Sequence, residues 1–285
     1  MNILITGSNG QLGNELHVCS EHETQNSYFF TDASELDITQ KEAVQAFVAS
    51  HDISIIINCA AYTAVDKAEE DIERCNLINN IAVRNLAEIA KSNQIFLIHI
   101  STDYVFDGSK NIPYSEEDPT SPLGVYGVTK LQGEQAIVNS GCEYLIFRTS
   151  WLYSSFGNNF VKTIQRLSVE KENLNVVFDQ TGTPTYAADL AGFLFRIIEN
   201  GQYKNKKGIY HYSNEGVCSW YDFAVEIAEL SGNNCNIQPC HSSEFPAKVK
   251  RPNFSVLDKT KVKKTFDITI PHWKDGLIRM IGLSK

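Results

Sequence analysis

Asn2-Ile-Leu-Ile-Thr-Gly7-Ser-Asn-Gly10-Gln-Leu-Gly13 decides how the rest of the chain is read. Asn2 to Thr6 is a short apolar run that predicts a buried strand. It feeds a turn with glycines at 7, 10 and 13, after which Leu12, Leu16 and Cys19 recur at helical spacing. A strand entering a glycine turn and a helix N-terminus is a seat for a dinucleotide pyrophosphate. The glycines admit the phosphates to the backbone, and the helix end offers free N–H groups and partial positive charge. A second strand, Tyr28 to Thr31, ends at Asp32. That acid follows Gly13 by about the 20 positions expected of the carboxylate that holds an adenosine ribose.

Strand and helix keep alternating outward from there. Lys41 to Ser50 reads as a helix, and Ile53 to Cys59 as a buried parallel strand rich in β-branched residues. It runs into the small residues of Ala60-Ala-Tyr-Thr-Ala-Val-Asp66. Glu69 to Lys91 carries a long helical pattern, and Ile95 to Ile100 is a strand stopping at Ser101-Thr-Asp103. A helix from Tyr126 to near Gly141 precedes a strand from Tyr144 to Thr149, which ends at Ser150-Trp151. The pattern predicts an α/β fold, a Rossmann-type doubly wound parallel sheet, with ligand loops at the strand C-termini. Residues 1–150 form the dinucleotide-binding domain, with segments roughly from 180 to 213 returning to it. Residues 151–179 and 214–285 form a smaller, interleaved α/β substrate domain, in which Ser219-Trp-Tyr-Asp222 reads as a capping box.

Tyr126 and Lys130 stand four apart in the predicted helix, hence on one face. A free phenol has a pKa of about 10 and donates poorly at neutral pH. A fixed cation beside it stabilises the phenolate, so this spacing supplies the parts of a general acid.

Composition narrows the classes. The net charge of −9 argues against nucleic-acid binding. No stretch approaches the roughly 20 apolar residues of a membrane span. The start lacks the basic region of a signal peptide. Seven scattered cysteines without a Cys-x-x-Cys pair fit reduced thiols in the cytoplasm. Lys248 to Lys264 holds seven basic residues against Asp258 alone, a patch suited to a small anionic ligand. The histidines are dispersed, and none is read as a metal ligand.

The glycine spacing, Asn79, Ser101-Thr102 and Tyr126-x-x-x-Lys130 together resemble the extended short-chain dehydrogenase/reductases. Ala60-Ala-Tyr-Thr-Ala-Val-Asp-Lys-Ala-Glu69, Ser101-Thr-Asp-Tyr-Val-Phe106, Val125-Tyr-Gly-Val-Thr-Lys130, Phe147-Arg-Thr-Ser-Trp151 and Arg251-Pro-Asn-Phe-Ser255 sharpen it. Within that group they resemble the dTDP-4-dehydrorhamnose reductase family over nearly the whole chain. The resemblance implies NAD(P)H-dependent reduction of the 4-keto group of dTDP-4-dehydro-L-rhamnose to dTDP-L-rhamnose, a surface-polysaccharide precursor. It implies that Gly10, Gln11 and Leu12, with Gly7 and Gly13, cradle the pyrophosphate and that Asp32 holds the ribose. Asp37 and Ile38 would line the adenine pocket, and Ala61, Tyr62 and Thr63 would touch the cofactor. Lys130 would bind the nicotinamide ribose, Tyr126 would protonate the substrate oxygen and Thr102 would hydrogen-bond it. Asp103 and Trp151 would contact the sugar nucleotide, and Arg251 is the candidate for its diphosphate. Asp32 faces the 2′ position without a neighbouring Arg in Ala33 or Ser34, so NADH should serve at least as well as NADPH.

One departure from the family concerns metal. Some of its members dimerise around magnesium held by three glutamates. Here Glu15 matches the first position, but Ala188 falls at the second, with Asp189 beside it, and no acid lies near the third. One step along a helix turns a side chain by about 100°, so Asp189 should not stand in for the missing glutamate. The expectation is a monomer, or a dimer not held by metal, with no Mg²⁺ requirement. Two other readings share these residues: a sugar-nucleotide epimerase of the same fold, and a regulatory subunit like the beta subunit of methionine adenosyltransferase.

Overall fold

The computed structural model describes residues 1–21, 25–245 and 248–283. Among these, six strands form one parallel sheet. They are β1 (Asn2–Thr6), β2 (Ser27–Thr31), β3 (Ile53–Asn58), β4 (Phe96–Thr102), β5 (Glu143–Thr149) and a returning strand, Gly208–His211. Across the sheet the order is returning strand, β5, β4, β3, β1, β2. Strand order therefore reverses at β1, where β2 lies to one side and β3 to the other. Loops leaving the strand ends diverge at such a point and open a crevice.

The central strands are apolar at consecutive positions because both faces are covered. Ile3, Ile5, Ile55 and Ile57 face α1 (Gln11–Ser20) and α8 (Ala187–Glu199), meeting Leu12, Leu16, Leu190 and Leu194. The intervening Leu4 and Ile56 face the opposite layer, α2 (Lys41–Ser50), α5 (Ala82–Ser92) and α6 (Val125–Ser140), through Val44, Val48, Leu86 and Ile137. That is the period-two alternation of a strand. Each such side chain contributes about 1.5–3 kcal/mol on full burial.

The helical pattern from Glu69 to Lys91 is interrupted. A short helix α3 (Val65–Ala68) precedes it, and the pattern itself becomes α4 (Ile72–Asn76), a π-helical turn at Leu77–Ile81, and then α5. Asn79 accounts for the widened turn's use. Its amide binds both the N–H and the C=O of Tyr62 (2.9 and 3.0 Å), fixing the loop after β3. A π-bulge shows no mark in apolar periodicity, so the sequence pattern passes over it.

A second core joins Tyr153, Val161, Leu174, Phe223, Ile227, Trp273 and Leu277. It is built from the parallel pair Asn173–Val177 and Asn236–Cys240 with α7 (Phe160–Glu170), α9 (Trp220–Ser231) and α11 (Trp273–Leu283). Asn159 caps α7 by accepting from Lys162 N–H, and Ser219 with Asp222 forms a capping box on α9. α10 (Thr260–Phe266) differs from its sequence neighbours, because Val262 and Phe266 pack with the main sheet. All seven cysteines are free, and among the described residues no helix is long and apolar enough to cross a membrane.

Candidate active site

A cleft of about 900 Å³ runs along the C-terminal rim of the sheet. Gly7, Gly10, Gln11, Leu12 and Gly13 line one end. Gly7 has a φ of +69°, and a Cβ there would sit 2.6 Å from Ala60 Cα. A Cβ on Gly13 would lie 2.5 Å from the Gly7 carbonyl oxygen, so only glycine lets α1 start this close to β1. Gly10 enters α1 in extended backbone without a side-chain cap, which leaves first-turn N–H groups available to an anion. The side chain of Gln11 also spans the cleft floor. It donates to Leu152 O (3.3 Å) and accepts from Asn159 Nδ2 (3.0 Å). The Asp32 carboxylate is fixed by N–H groups of Asn9 (3.0 Å) and Ala33 (2.7 Å), with Asp37 and Ile38 further along the same wall. Ala61 and Thr63 line the cleft, but Tyr62 does not. Tyr62 is the alternate residue of that segment; Asn79 pins its backbone, and its hydroxyl turns to Asp71.

Thr102, Asp103, Tyr126 and Lys130 meet at the middle of the cleft. The Tyr126 hydroxyl bonds to Thr102, whose own Oγ1 also meets Asp103 Oδ1 (3.1 Å) and Tyr104 N–H (3.2 Å). Burial pushes Asp103 up to about 6, against hydrogen bonds from Ser255 and Thr102. One expectation from the sequence fails in its simple form. Burial raises the Tyr126 phenol well above its ordinary value, with the Thr102 bond only partly opposing it. The Lys130 amine does not pull it down, because its Nζ is drawn inward to Ile100 O (2.6 Å) and His99 Nε2 (3.2 Å). Helical spacing places the two side chains on one face; the carbonyl at the end of β4 decides where the amine goes.

The far end is aromatic and basic. Trp151 sits at φ +48°, and its ring stacks on Trp220 with centroids 3.5 Å apart and planes 8° apart. Gly182 backs the same indole so closely that a Cβ would come within 2.6 Å of it. Arg251 reaches the cleft and donates to Asp66 Oδ2 (3.0 Å), while Lys248 pairs with Glu70 just outside. Sequence reasoning missed Trp220, Asn159, Asp66 and Arg74, all of which line the cleft. Trp220 and Asn159 carried one available signal: each lies at a helix start marked by a cap. Asp66 and Arg74 carried none beyond their charge.

Glu15, Asp189 and Arg279 form a separate cluster near the start of α1. Glu15 is buried, accepts from Ser154 Oγ (2.6 Å) and is raised by burial, with the like charge of Asp189 adding to the rise. Asp189 is thus near enough to Glu15 for its charge to be felt there, although it sits one position past the expected glutamate. The Asp189 carboxylate is held by Arg279 at 2.6 and 2.7 Å and by Asn214 at 2.7 Å. Among the described residues, no three His, Cys, Asp or Glu side chains gather as a metal site.

A glycine seat with an acid after the second strand, joined in one cleft to Thr102, Tyr126 and Lys130, defines a nicotinamide-dependent reductase of the short-chain type. The family model for the RmlD substrate binding domain matches residues 1–284, and the chain belongs to that family. The dTDP-4-dehydrorhamnose reductase of Aggregatibacter actinomycetemcomitans is 40% identical over 284 residues, covering 96% of each chain. Among solved structures, a dTDP-4-dehydrorhamnose reductase from Clostridium acetobutylicum is 44% identical, with a TM-score of 0.94 over 100% of this chain and 99% of that one. The Bacillus anthracis enzyme, in complex with NADP, is 38% identical with a TM-score of 0.93 over the same shares.

Proposed function

We propose that this chain reduces the 4-keto group of dTDP-4-dehydro-L-rhamnose with NADH or NADPH, giving dTDP-L-rhamnose for surface polysaccharide. The observation that carries the reading is one continuous cleft joining the glycine seat, the Thr102–Tyr126–Lys130 group and the Trp151–Trp220–Arg251 end. The glycine seat fits a dinucleotide, since Cβ atoms at 7 or 13 would collide with the backbone of Ala60, Gly7 and Ser8 and displace the turn whose N–H groups would meet a pyrophosphate. When bound, the reduced nicotinamide supplies the hydride for C4 of the sugar. Gly10, Gln11 and Leu12 hold the pyrophosphate through main-chain N–H groups, and Asp32 accepts from the ribose hydroxyls. Lys130 holds the second ribose, Thr102 donates to the substrate carbonyl oxygen, and Tyr126 gives that oxygen its proton. A phenol kept protonated by burial is a competent donor, provided a cation reaches it as charge develops. Trp151 and Trp220 bear on the sugar nucleotide, and Arg251 exchanges Asp66 for diphosphate oxygens that match its guanidinium fork.

The smaller unit built on the second core closes over this cleft, and the reduced thiols suit the cytoplasm. NADH serves at least as well as NADPH, because the Asp32 carboxylate meets any 2′-phosphate with like charge. No divalent metal is required: Arg279 already neutralises Asp189, where a cation would otherwise be needed. Purified protein mixed with dTDP-4-dehydro-L-rhamnose should consume NADH and NADPH in paired titrations, with kcat/KM for NADH equal or higher. A strong NADPH preference would refute the Asp32 reading. Silence with both cofactors, alongside retained NADH binding, would refute the reductase and favour a regulatory subunit.

A further inference from the structure

Behind the cleft, four buried polar side chains run in file from β1 to α6. Thr6 Oγ1 meets Asn58 Oδ1 at 2.8 Å, Asn58 Nδ2 meets His99 Nδ1 at 3.0 Å, and His99 Nε2 meets Lys130 Nζ at 3.2 Å. The file ends where Lys130 Nζ donates to Ile100 O at 2.6 Å. None of the four is more than 2% exposed, so their hydrogen bonds have to be made to one another and to adjoining backbone groups.

The direction of the file follows from a group that can only donate. Ala60 N–H donates to Asn58 Oδ1 at 3.2 Å; with the amide reversed, two N–H groups would face each other. Thr6 does not discriminate, since a hydroxyl gives or accepts. Asn58 Nδ2 therefore donates to His99 Nδ1, and in a neutral ring the proton sits on Nε2. Burial, the larger cause, holds His99 well below its ordinary pKa, so the ring is neutral even opposite an uncharged Lys130. Its Nε2–H then points at Lys130 Nζ. An ammonium has no lone pair to receive it. A neutral amine has one, and keeps its own N–H groups for Ile100 O.

We propose that Asn58 and His99 are a positioning pair that presents an N–H to Lys130, so that the interior holds the neutral amine and turns the charged ammonium out towards Tyr126 and the cofactor ribose. The surroundings agree. Burial brings Lys130 down to about 8, opposed by Glu134 one turn along α6 and by Cys59 and Cys75. Glu134 is occupied by Arg148 (2.7 Å) and Ser101 (2.5 Å), and burial raises both thiols, Cys59 to about 12. The neighbours that would hold an ammonium inside are thus either committed elsewhere or uncharged near neutral pH. The consequence for cofactor binding rests on the reading of Lys130 as the ribose-binding lysine; the tautomer does not.

Two measurements on the full-length protein test this. Long-range ¹H–¹⁵N spectra of the imidazoles, with His99 assigned through His99→Leu or His99→Gln, should show the Nε2–H tautomer near neutral pH. An Nδ1–H tautomer or an imidazolium would overturn the pair, whatever the enzyme turns over. NADH affinity should weaken as pH rises and Lys130 loses its charge, and in His99→Leu that weakening should move up by about one pH unit, because the opposing N–H is gone. A downward shift would mean that His99 accepts from the ammonium, and no shift would mean that it is indifferent; either outcome rejects the proposal. A protein that shows the tautomer and the upward shift yet reduces no keto sugar would lose the substrate assignment and keep this one.

Discussion

Tyr126 carries the heaviest chemical demand of any side chain in the cleft. In the proposed reaction it would surrender a proton that burial holds tightly, and Thr102 is its hydrogen-bonding partner. Positioned proton donors contribute roughly 10²–10⁴ in rate, about 2.7–5.5 kcal/mol at ~1.36 kcal/mol per tenfold. Turnover of Tyr126→Phe should fall by that order while NADH affinity stays within about twofold, since the ring keeps its edge contact with Tyr104. Steady-state kinetics and NADH titration check both halves, and near-normal turnover would remove Tyr126 as the acid. Trp151 shows a different residue-scale cost. A left-handed backbone on a bulky residue costs of the order of 1–3 kcal/mol. Here it is offset by the stack on Trp220 and by the Thr185 N–H donating to Trp151 O at 3.2 Å. Strain retained on a cleft-lining residue fits a side chain aimed at a ligand.

At the scale of elements, the start of α1 has the least room for change. A methyl group on Gly13 would meet the Gly7 carbonyl and the Ser8 backbone, neither of which can rotate away as a side chain could. Gly13→Ala should therefore displace the glycine turn, costing about 1–3 kcal/mol of stability and weakening NADH at least about tenfold, or ~1.4 kcal/mol. Thermal melts and NADH titration would measure the two effects. Unchanged affinity would show that the turn is not the pyrophosphate seat. The α6 contact makes a related demand. Gly133 lets that helix approach the π-helical turn, where a Cβ would come within 2.3 Å of Asn79 O. Tyr126 and Lys130 are thus set in depth by a glycine on their own helix.

For the whole molecule, the cluster around Glu15 governs the prediction about metal and assembly. A magnesium ion needs several oxygen ligands in near-octahedral array. Asp189 is already engaged by Arg279 and Asn214, and Glu15 by Ser154. Activity and elution volume on gel filtration should be the same with and without a chelator. Loss of activity on chelation, together with a change of size, would show that Asp189 exchanges Arg279 for metal. Removing that arginine (Arg279→Ala) should leave Asp189 and Glu15 as unbalanced neighbours and lower the melting temperature, most strongly at high pH, where Glu15, raised by burial, has taken up its charge.

The local order of strands and helices, the glycine turn, Asp32 at its rim and the shared face of Tyr126 and Lys130 were all determined by the sequence alone. Each is written in a short-range pattern: periodicity for the elements, spacing for the helix face, and glycines where a Cβ has no room. The capping box on α9 was legible for the same reason, since its two partners lie three residues apart. Only the tertiary structure decided where charges settle and which distant residues meet. Trp220 joins Trp151 from 69 positions away, Arg251 finds Asp66 across the cleft, and Arg279 rather than a third acid answers Asp189. Lys130 was legible as a neighbour of Tyr126, but not as an amine drawn to Ile100 O and confronted by His99. Hydrogen-bond direction and burial are set by what surrounds a group in space, and no spacing along the chain encodes them.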